Sequence, residues 1–306
     1  MRIAIMGTGG MGGYFGARLA AVGNDVTFIA RGAHLAAIKA DGLRLIGPRG
    51  DTHIKPAQAT DDPDSVGPVD CVLFCVKLYD AETGAAAIRP MLRPDTMVIS
   101  TLNGVDGPDR IAAVIGPGHV LGGAAYAAAH IEQPGVVSYR SDMSKLAFGE
   151  LDGSRSPRAI AFQEACTGTG FVADLSSDIR ATLWEKFVLL ATNAALTAVT
   201  RKPAAVVYGD PDLKDLAVRL MQEVLAIGQA EGVNLASDII ERSVALTETF
   251  PPDMYASMYH DLAAGKPLEL ESFSGLIARL GKKHGIATPH HATIYACLKP
   301  YVDGTR

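Results

Sequence analysis

The chain has 306 residues, 48% hydrophobic and 20% charged, with a net charge of −5 and four cysteines. That composition suits two globular domains, each with its own core, and excludes a disordered chain. Mild acidity without a basic cluster predicts no nucleic-acid partner, no apolar run reaches membrane-spanning length, and no Cys/His spacing suits a metal.

Met1 leads directly into a short apolar run, residues 2–6, that reads as a buried strand. This leaves no room for a signal peptide and, with Cys71 and Cys75 inside another apolar run, predicts a reduced cytoplasmic protein. The strand breaks at Gly7-Thr8-Gly9-Gly10-Met11-Gly12 and continues into an apolar-periodic helix. Glycines at 7, 9 and 12 fit G-x-G-x-x-G in a strand–turn–helix frame, where they permit a tight turn, close approach to a pyrophosphate and close helix packing. The helix N-terminus then offers N–H groups to the phosphates.

Residues 26–30 form the second strand. At its end, where an NAD-binding unit places an acidic residue for the ribose 2′-hydroxyl, stands Arg31; Asp25 lies at the other end. A guanidinium favours a 2′-phosphate, so NADP(H) is predicted. Further on, residues 33–40 read as a helix and 43–46 with 52–54 as a small hairpin. Strands follow at 70–77, 97–102, 120–126, 136–139, 145–149 and 171–175, with helices at 81–88 and 157–166. Alternating strands and helices predict a parallel sheet covered on both faces, an α/β Rossmann-type, NADP(H)-binding domain over residues 1–176. Ser176-Ser177-Asp178 is a helix-start signal, after which helices are predicted at 184–199, 211–231, 237–249, 254–263, 268–284 and 290–298. Residues 177–306 are therefore expected to form an all-α substrate and dimerisation domain, with the substrate in the cleft above the carboxyl ends of the strands.

Lys77 and Asn103 stand where strands are predicted to end, facing the cofactor crevice. In the helical half, Lys186 shares a helix face with Leu190, Asn193 and Thr197. An ammonium on so apolar a stripe either snorkels to water or is held in a pocket, where desolvation would lower its pKa toward that of a general acid. Glu269 and Glu271 read as first-turn carboxylates of helix 268–284, and one that reached Lys186 would keep it oriented and protonated. Ser257 and Asp261 share a face at i and i+4. His290 and His291, in a Pro289-led helix start, are expected at the surface, and no histidine is given a catalytic role.

In this order and spacing, Gly7 to Gly12, Arg31, Val76-Lys77, Leu102-Asn103-Gly104, Trp184-x-Lys186, Ser257-x-x-x-Asp261 and Lys266-Pro-x-Glu269 resemble the ketopantoate reductase (2-dehydropantoate 2-reductase) family over essentially the whole chain. The resemblance implies NADPH-dependent reduction of the 2-keto group of ketopantoate to pantoate, on the route to coenzyme A. It makes Lys186 the general acid and has Glu269 hold that lysine and touch the cofactor ribose. Asn103 and Ser257 would bind substrate, joined by Asn193 and Asp261, while Lys77, Asn103 and Ala128 would lie near the cofactor. The chain departs from the family one and two helical turns after the lysine, where asparagines are common: here stand Leu190 and Ala194, with Asn193 one residue off. A bulkier or more apolar 2-keto acid is thus an alternative substrate. Two other readings are a β-hydroxyacid dehydrogenase with a lysine base and a non-catalytic NADPH sensor. A homodimer through the helical half is expected.

Overall fold

The computed structural model describes residues 1–140 and 143–304. It divides into two compact units, residues 1–179 and residues 180 onward.

The first unit begins with β1 (Arg2–Met6), α1 (Gly10–Ala21), β2 (Asp25–Ile29) and α2 (Gly32–Asp41). Three short strands follow: β3 (Leu43–Ile46), β4 (Thr52–Ile54) and β5 (Gln58–Thr60). The chain continues through β6 (Cys71–Phe74), α3 (Ala81–Ala87), β7 (Met97–Ser100), α4 (Gly107–Ile115) and β8 (Val120–Tyr126). It closes with β9 (Ala129–Gln133), β10 (Val136–Tyr139), β11 (Lys145–Glu150), α5 (Pro157–Ala165) and β12 (Val172–Leu175). Among the described residues the main sheet has the order β12-β11-β8-β7-β6-β1-β2-β5. β1 pairs in parallel with β2 on one side and β6 on the other, so the strand order reverses beside β1 and opens a crevice at the carboxyl ends.

The sheet is not wholly parallel, which corrects the sequence expectation. β11 runs antiparallel to β8 from Lys145↔Tyr126 to Glu150↔Leu121. Among the described residues no helix lies between these two strands to form a parallel crossover. The intervening β9 and β10 instead join β3 and β4 in a second sheet of order β4-β3-β10-β9. Both β5 and β9 escape the sequence reading, being short and largely polar (QAT and AHIEQ).

The second sheet explains why α1 is so rich in glycine. A Cβ on Gly12 or Gly16 would meet Ile5 at 2.9 and 2.8 Å; on Gly10 it would meet the Ala129 carbonyl oxygen at 2.1 Å, and on Gly13 the Val137 side chain at 2.6 Å. The helix is held between two sheets, and small residues on both faces allow that approach.

The second unit comprises α6 (Ile179–Thr200), α7 (Ala204–Gly209), α8 (Pro211–Ala230), α9 (Ile239–Thr247), α10 (Ser257–Ala263), α11 (Ser274–His284) and α12 (Pro289–Leu298). His291 lies fully buried in it, contrary to the surface placement expected. It lies on the buried face of α12 with Ile294 and Leu298, a periodicity that the sequence already carried. Burial pushes its pKa down to about 4, so the ring is neutral. Nε2–H donates to the Leu220 carbonyl (3.3 Å) and Nδ1 accepts from Ser274 Oγ (3.1 Å). The Glu223 carboxylate accepts the backbone N–H groups of His290 and His291, each at 2.9 Å, capping α12 from α8.

Candidate active site

In the first unit, four of the segments named from sequence come after neighbouring strands at one edge of the sheet: Gly7 after β1, Arg31 after β2, Lys77 after β6 and Asn103 after β7. Lys77 and Asn103 do not end their strands as expected. The ladder stops at Phe74, whose register partners are Met6 and Ser100, because both neighbouring strands stop there too. Lys77 therefore precedes the single 3-10 turn Leu78–Asp80, and Asn103 lies in the bend before α4; both are partly exposed. A Cβ on Gly7 would touch the backbone of Cys75 and Val76 at 3.0 Å, so the glycine turn leans on the segment that carries Lys77.

The glycine turn is built for an anion. Gly7 has φ of +95°, a conformation open to glycine and costly for other residues. Thr8 is buried and committed to β2: its backbone N–H and its Oγ1 both donate to the Ile29 carbonyl, at 2.9 and 3.0 Å. Its contribution to a cofactor is thus backbone and turn shape. Gly9 is the N-cap of α1 with no side-chain capping bond, and the first turn, which includes Gly10, Met11 and Gly12, holds no acidic residue. The leading N–H groups and the positive end of the helix dipole are left for a ligand. No atom lies within 4 Å of a Cβ built on Gly9. At the end of β2, the exposed Arg31 caps α2, whose first turn is likewise free of acid. An open helix N-terminus, space over Gly9 and a guanidinium at the second strand fit a phosphorylated dinucleotide. Ala128 is exposed between β8 and β9, and its carbonyl accepts from Arg140 N–H.

This geometry separates two glycines of one motif. Gly9→Ala should leave thermal stability unchanged and weaken dinucleotide binding about tenfold or more, since only a bound phosphate would meet the new methyl. Gly12→Ala should lower Tm, because its Cβ would fall 2.2 Å from the Gly7 carbonyl oxygen. Thermal melts beside cofactor titrations check both.

In the second unit, Lys186 lies on α6, partly exposed yet closely surrounded. Burial pushes its pKa down to about 8, and the negative charge of Glu269 opposes that shift. Glu269 is 7% exposed. It does not open a continuous helix, as the sequence suggested. Glu269–Ser272 is a separate 3-10 turn, Phe273 is non-helical (φ −109°, ψ −108°), and α11 starts at Ser274. The break lets the Phe273 ring bury against Phe187, with centroids 5.6 Å apart, next in sequence to Lys186. The helix yields to packing, and the packing brings the carboxylate to the lysine. Glu271 is sent elsewhere: it accepts from Arg279 (2.7 Å) and Tyr295 OH (2.6 Å).

Asn193, two turns beyond Lys186, is 5% exposed, and its Oδ1 has no hydrogen-bond partner among the described residues. Thr197 Oγ1 donates to the Asn193 carbonyl (2.7 Å) and accepts from Ala256 N–H (3.4 Å), tying the start of α10 to α6. That tie, which no sequence signal announced, fixes the exposed Ser257, the first residue of α10; Asp261 comes one turn later, partly exposed. The structure thus brings Lys186, Glu269, Asn193 and Ser257 onto one helix and the two segments packed on it. Among the described residues no group of histidine, cysteine and carboxylate side chains could hold a metal.

Comparison with known proteins agrees with this geometry. The family described as Ketopantoate reductase PanE/ApbA matches residues 3–153, and its C-terminal counterpart matches residues 178–302. A 2-dehydropantoate 2-reductase of Mesorhizobium japonicum is 30% identical, covering 98% of this chain and 97% of its own. The crystal structure of a PanE/ApbA family ketopantoate reductase from Ralstonia eutropha superposes with a TM-score of 0.91 at 31% identity, covering 98% of each chain. D-mandelate dehydrogenase, solved with NADH and anilino(oxo)acetate, shares the fold at a TM-score of 0.88, 24% identity and 98% coverage of each chain. The chain belongs to the ketopantoate reductase family, nicotinamide-dependent oxidoreductases acting on a CH–OH or keto group.

Proposed function

We propose that this chain reduces the 2-keto group of a 2-keto acid of the ketopantoate kind, with NADPH as reductant and Lys186 as general acid. The observation that carries the reading is Lys186 itself, a lysine whose proton is held near neutrality by burial against the charge of Glu269. The first unit would take the dinucleotide through the turn Gly7–Gly12, with Arg31 on the 2′-phosphate and Lys77, Asn103 and Ala128 beside it. The bound nicotinamide would supply the hydride that reaches C2. Lys186 gives its Nζ proton to the carbonyl oxygen as the C=O π bond breaks, so the product is a 2-hydroxy acid and the amine regains its proton from water. Glu269 keeps that amine oriented and charged and would hold the cofactor ribose. Asn103, Ser257, Asn193 and Asp261 would position the keto acid.

Turnover of NADPH with ketopantoate and a panel of other 2-keto acids, followed by the loss of reduced-nicotinamide absorbance, tests this. The expected result is NADPH-dependent reduction of at least one of them. NADPH binding without turnover of any would replace the enzyme by a sensor of the same fold.

A further inference from the structure

The turn that carries Glu269 is cut off from the helix beyond it. Phe273 is non-helical, so α11 starts its own hydrogen-bond ladder at Ser274, and the four residues Glu269–Ser272 must be held by other means. The two ends of the turn are anchored: Leu268 N–H donates to the Val302 carbonyl (2.8 Å), and Phe273 packs against Phe187. Within it Glu269, Leu270 and Ser272 are buried, and Glu271 alone is exposed. The Glu271 carboxylate accepts from Arg279 Nη1 through Oε2 (2.7 Å) and from Tyr295 OH through Oε1 (2.6 Å). Arg279 Nη2 also donates to the Glu271 carbonyl (2.8 Å). Side chain and main chain of this residue are thereby tied to α11 and α12 together. A guanidinium fork closed by a second helix is the case in which an exposed ion pair holds geometry. Gly275 makes the room for it: a Cβ there would lie 2.9 Å from the Tyr295 ring and 3.1 Å from Glu271 Oε2.

We propose that Glu271, held by Arg279 and Tyr295, is a positioning residue for the reaction: its clamp on the outer side of the turn fixes where Glu269 stands and, through Glu269, keeps the Lys186 amine charged. The inference rests on the proposed roles of Lys186 and Glu269. The charge that opposes desolvation at Lys186 is that of Glu269. Glu185, next in sequence to the lysine, is turned to Arg242 at 3.6 Å, and the polar partners of Glu271 are Arg279 and Tyr295. Glu271 therefore acts at one remove. The hold of a carboxylate on an ammonium weakens with distance, so a turn free to shift supports the amine less well.

Glu271→Ala and Arg279→Met open the clamp from its two sides. In each, the alkaline fall of kcat/KM should begin at lower pH by about half a unit or more, the direction expected for Glu269→Gln. The double variant decides the route: in a Glu269→Gln background, Glu271→Ala should move the fall no further, because the charge it positions is gone. A general loosening would lower Tm in both backgrounds and leave the pH profile in place. A profile unmoved by Glu271→Ala and Arg279→Met, but moved by Glu269→Gln, overturns the inference and leaves Lys186 and Glu269 in their roles. Additive shifts in the double variant overturn it as well, since Glu271 would then act without Glu269. A profile unmoved by Glu269→Gln overturns the pairing of Glu269 with Lys186, and this inference with it. Should no 2-keto acid be reduced, the pH dependence of Tm reads the same change. The stability that Lys186 adds as it loses its proton should then set in at lower pH in Glu271→Ala, and an unchanged dependence overturns the inference.

Discussion

Lys186→Met should lower kcat by about 10²- to 10⁴-fold while leaving NADPH affinity unchanged, the range that a positioned proton donor contributes. The variant removes the ammonium and keeps the apolar stem, so packing along α6 is preserved. It should also flatten the dependence of Tm on pH between about 8 and 10.5. The native lysine gives up its proton at about 8, well below the ordinary 10.5. The unfolded chain therefore holds more protons between those values, and Lys186 adds stability as pH rises through that window while costing stability at pH 7. Removing it also leaves the buried Glu269 carboxylate without its counter-charge, so the two effects oppose one another at neutral pH. Lost turnover with NADPH still bound and a cooperative melt retained cannot be misfolding. A kcat that fell less than tenfold would remove Lys186 from its role.

The same residue sets the pH profile. Reduction needs the charged amine, so kcat/KM should be level below about pH 8 and fall about tenfold per pH unit above it. Oxidation of the 2-hydroxy acid needs the neutral amine and should rise through the same value. Glu269→Gln removes the charge that favours the ammonium, so both limbs should move to lower pH. A profile unmoved by that substitution would separate Glu269 from the acid.

The range of the forces involved decided which features the sequence disclosed and which it hid. The turn Gly7–Gly12 was legible because phosphate binding at a helix N-terminus is local: one strand, one turn, one helix. Lys186 stood out because a cation on an apolar helical face has few explanations. The pairing of that cation with Glu269 was already implied by the family resemblance, but the backbone that delivers the carboxylate was hidden. Periodicity over residues 268–284 suggested one helix, and only the burial of Phe273 against Phe187 broke it into a turn and a helix. The second sheet was hidden for the same reason, since β3 and β10 lie some ninety residues apart and are joined by register alone. The extra glycines at 10 and 13 were its trace in the sequence, unexplained by phosphate chemistry and explained by the strands packed on α1.

Arg31→Asp should reverse the preference between the two nicotinamide cofactors by about 100-fold or more. Arg31 stands after β2, exposed, at the head of a helix whose first turn holds no acid. Each charge-assisted bond from a guanidinium to a 2′-phosphate contributes about 1.5–3 kcal/mol, so its loss alone weakens NADPH by about tenfold to 150-fold. An aspartate in its place adds repulsion of the phosphate and offers an acceptor to the ribose 2′-hydroxyl of NADH. KM for NADPH should rise, KM for NADH should fall, and kcat with a saturating cofactor should change little, because the substitution leaves α6 untouched. Arg31→Ala isolates the attractive part: it should weaken NADPH without improving NADH. Equal affinity for both cofactors in the unaltered enzyme would remove the 2′-phosphate from Arg31 and leave the nicotinamide chemistry of the family as it stands.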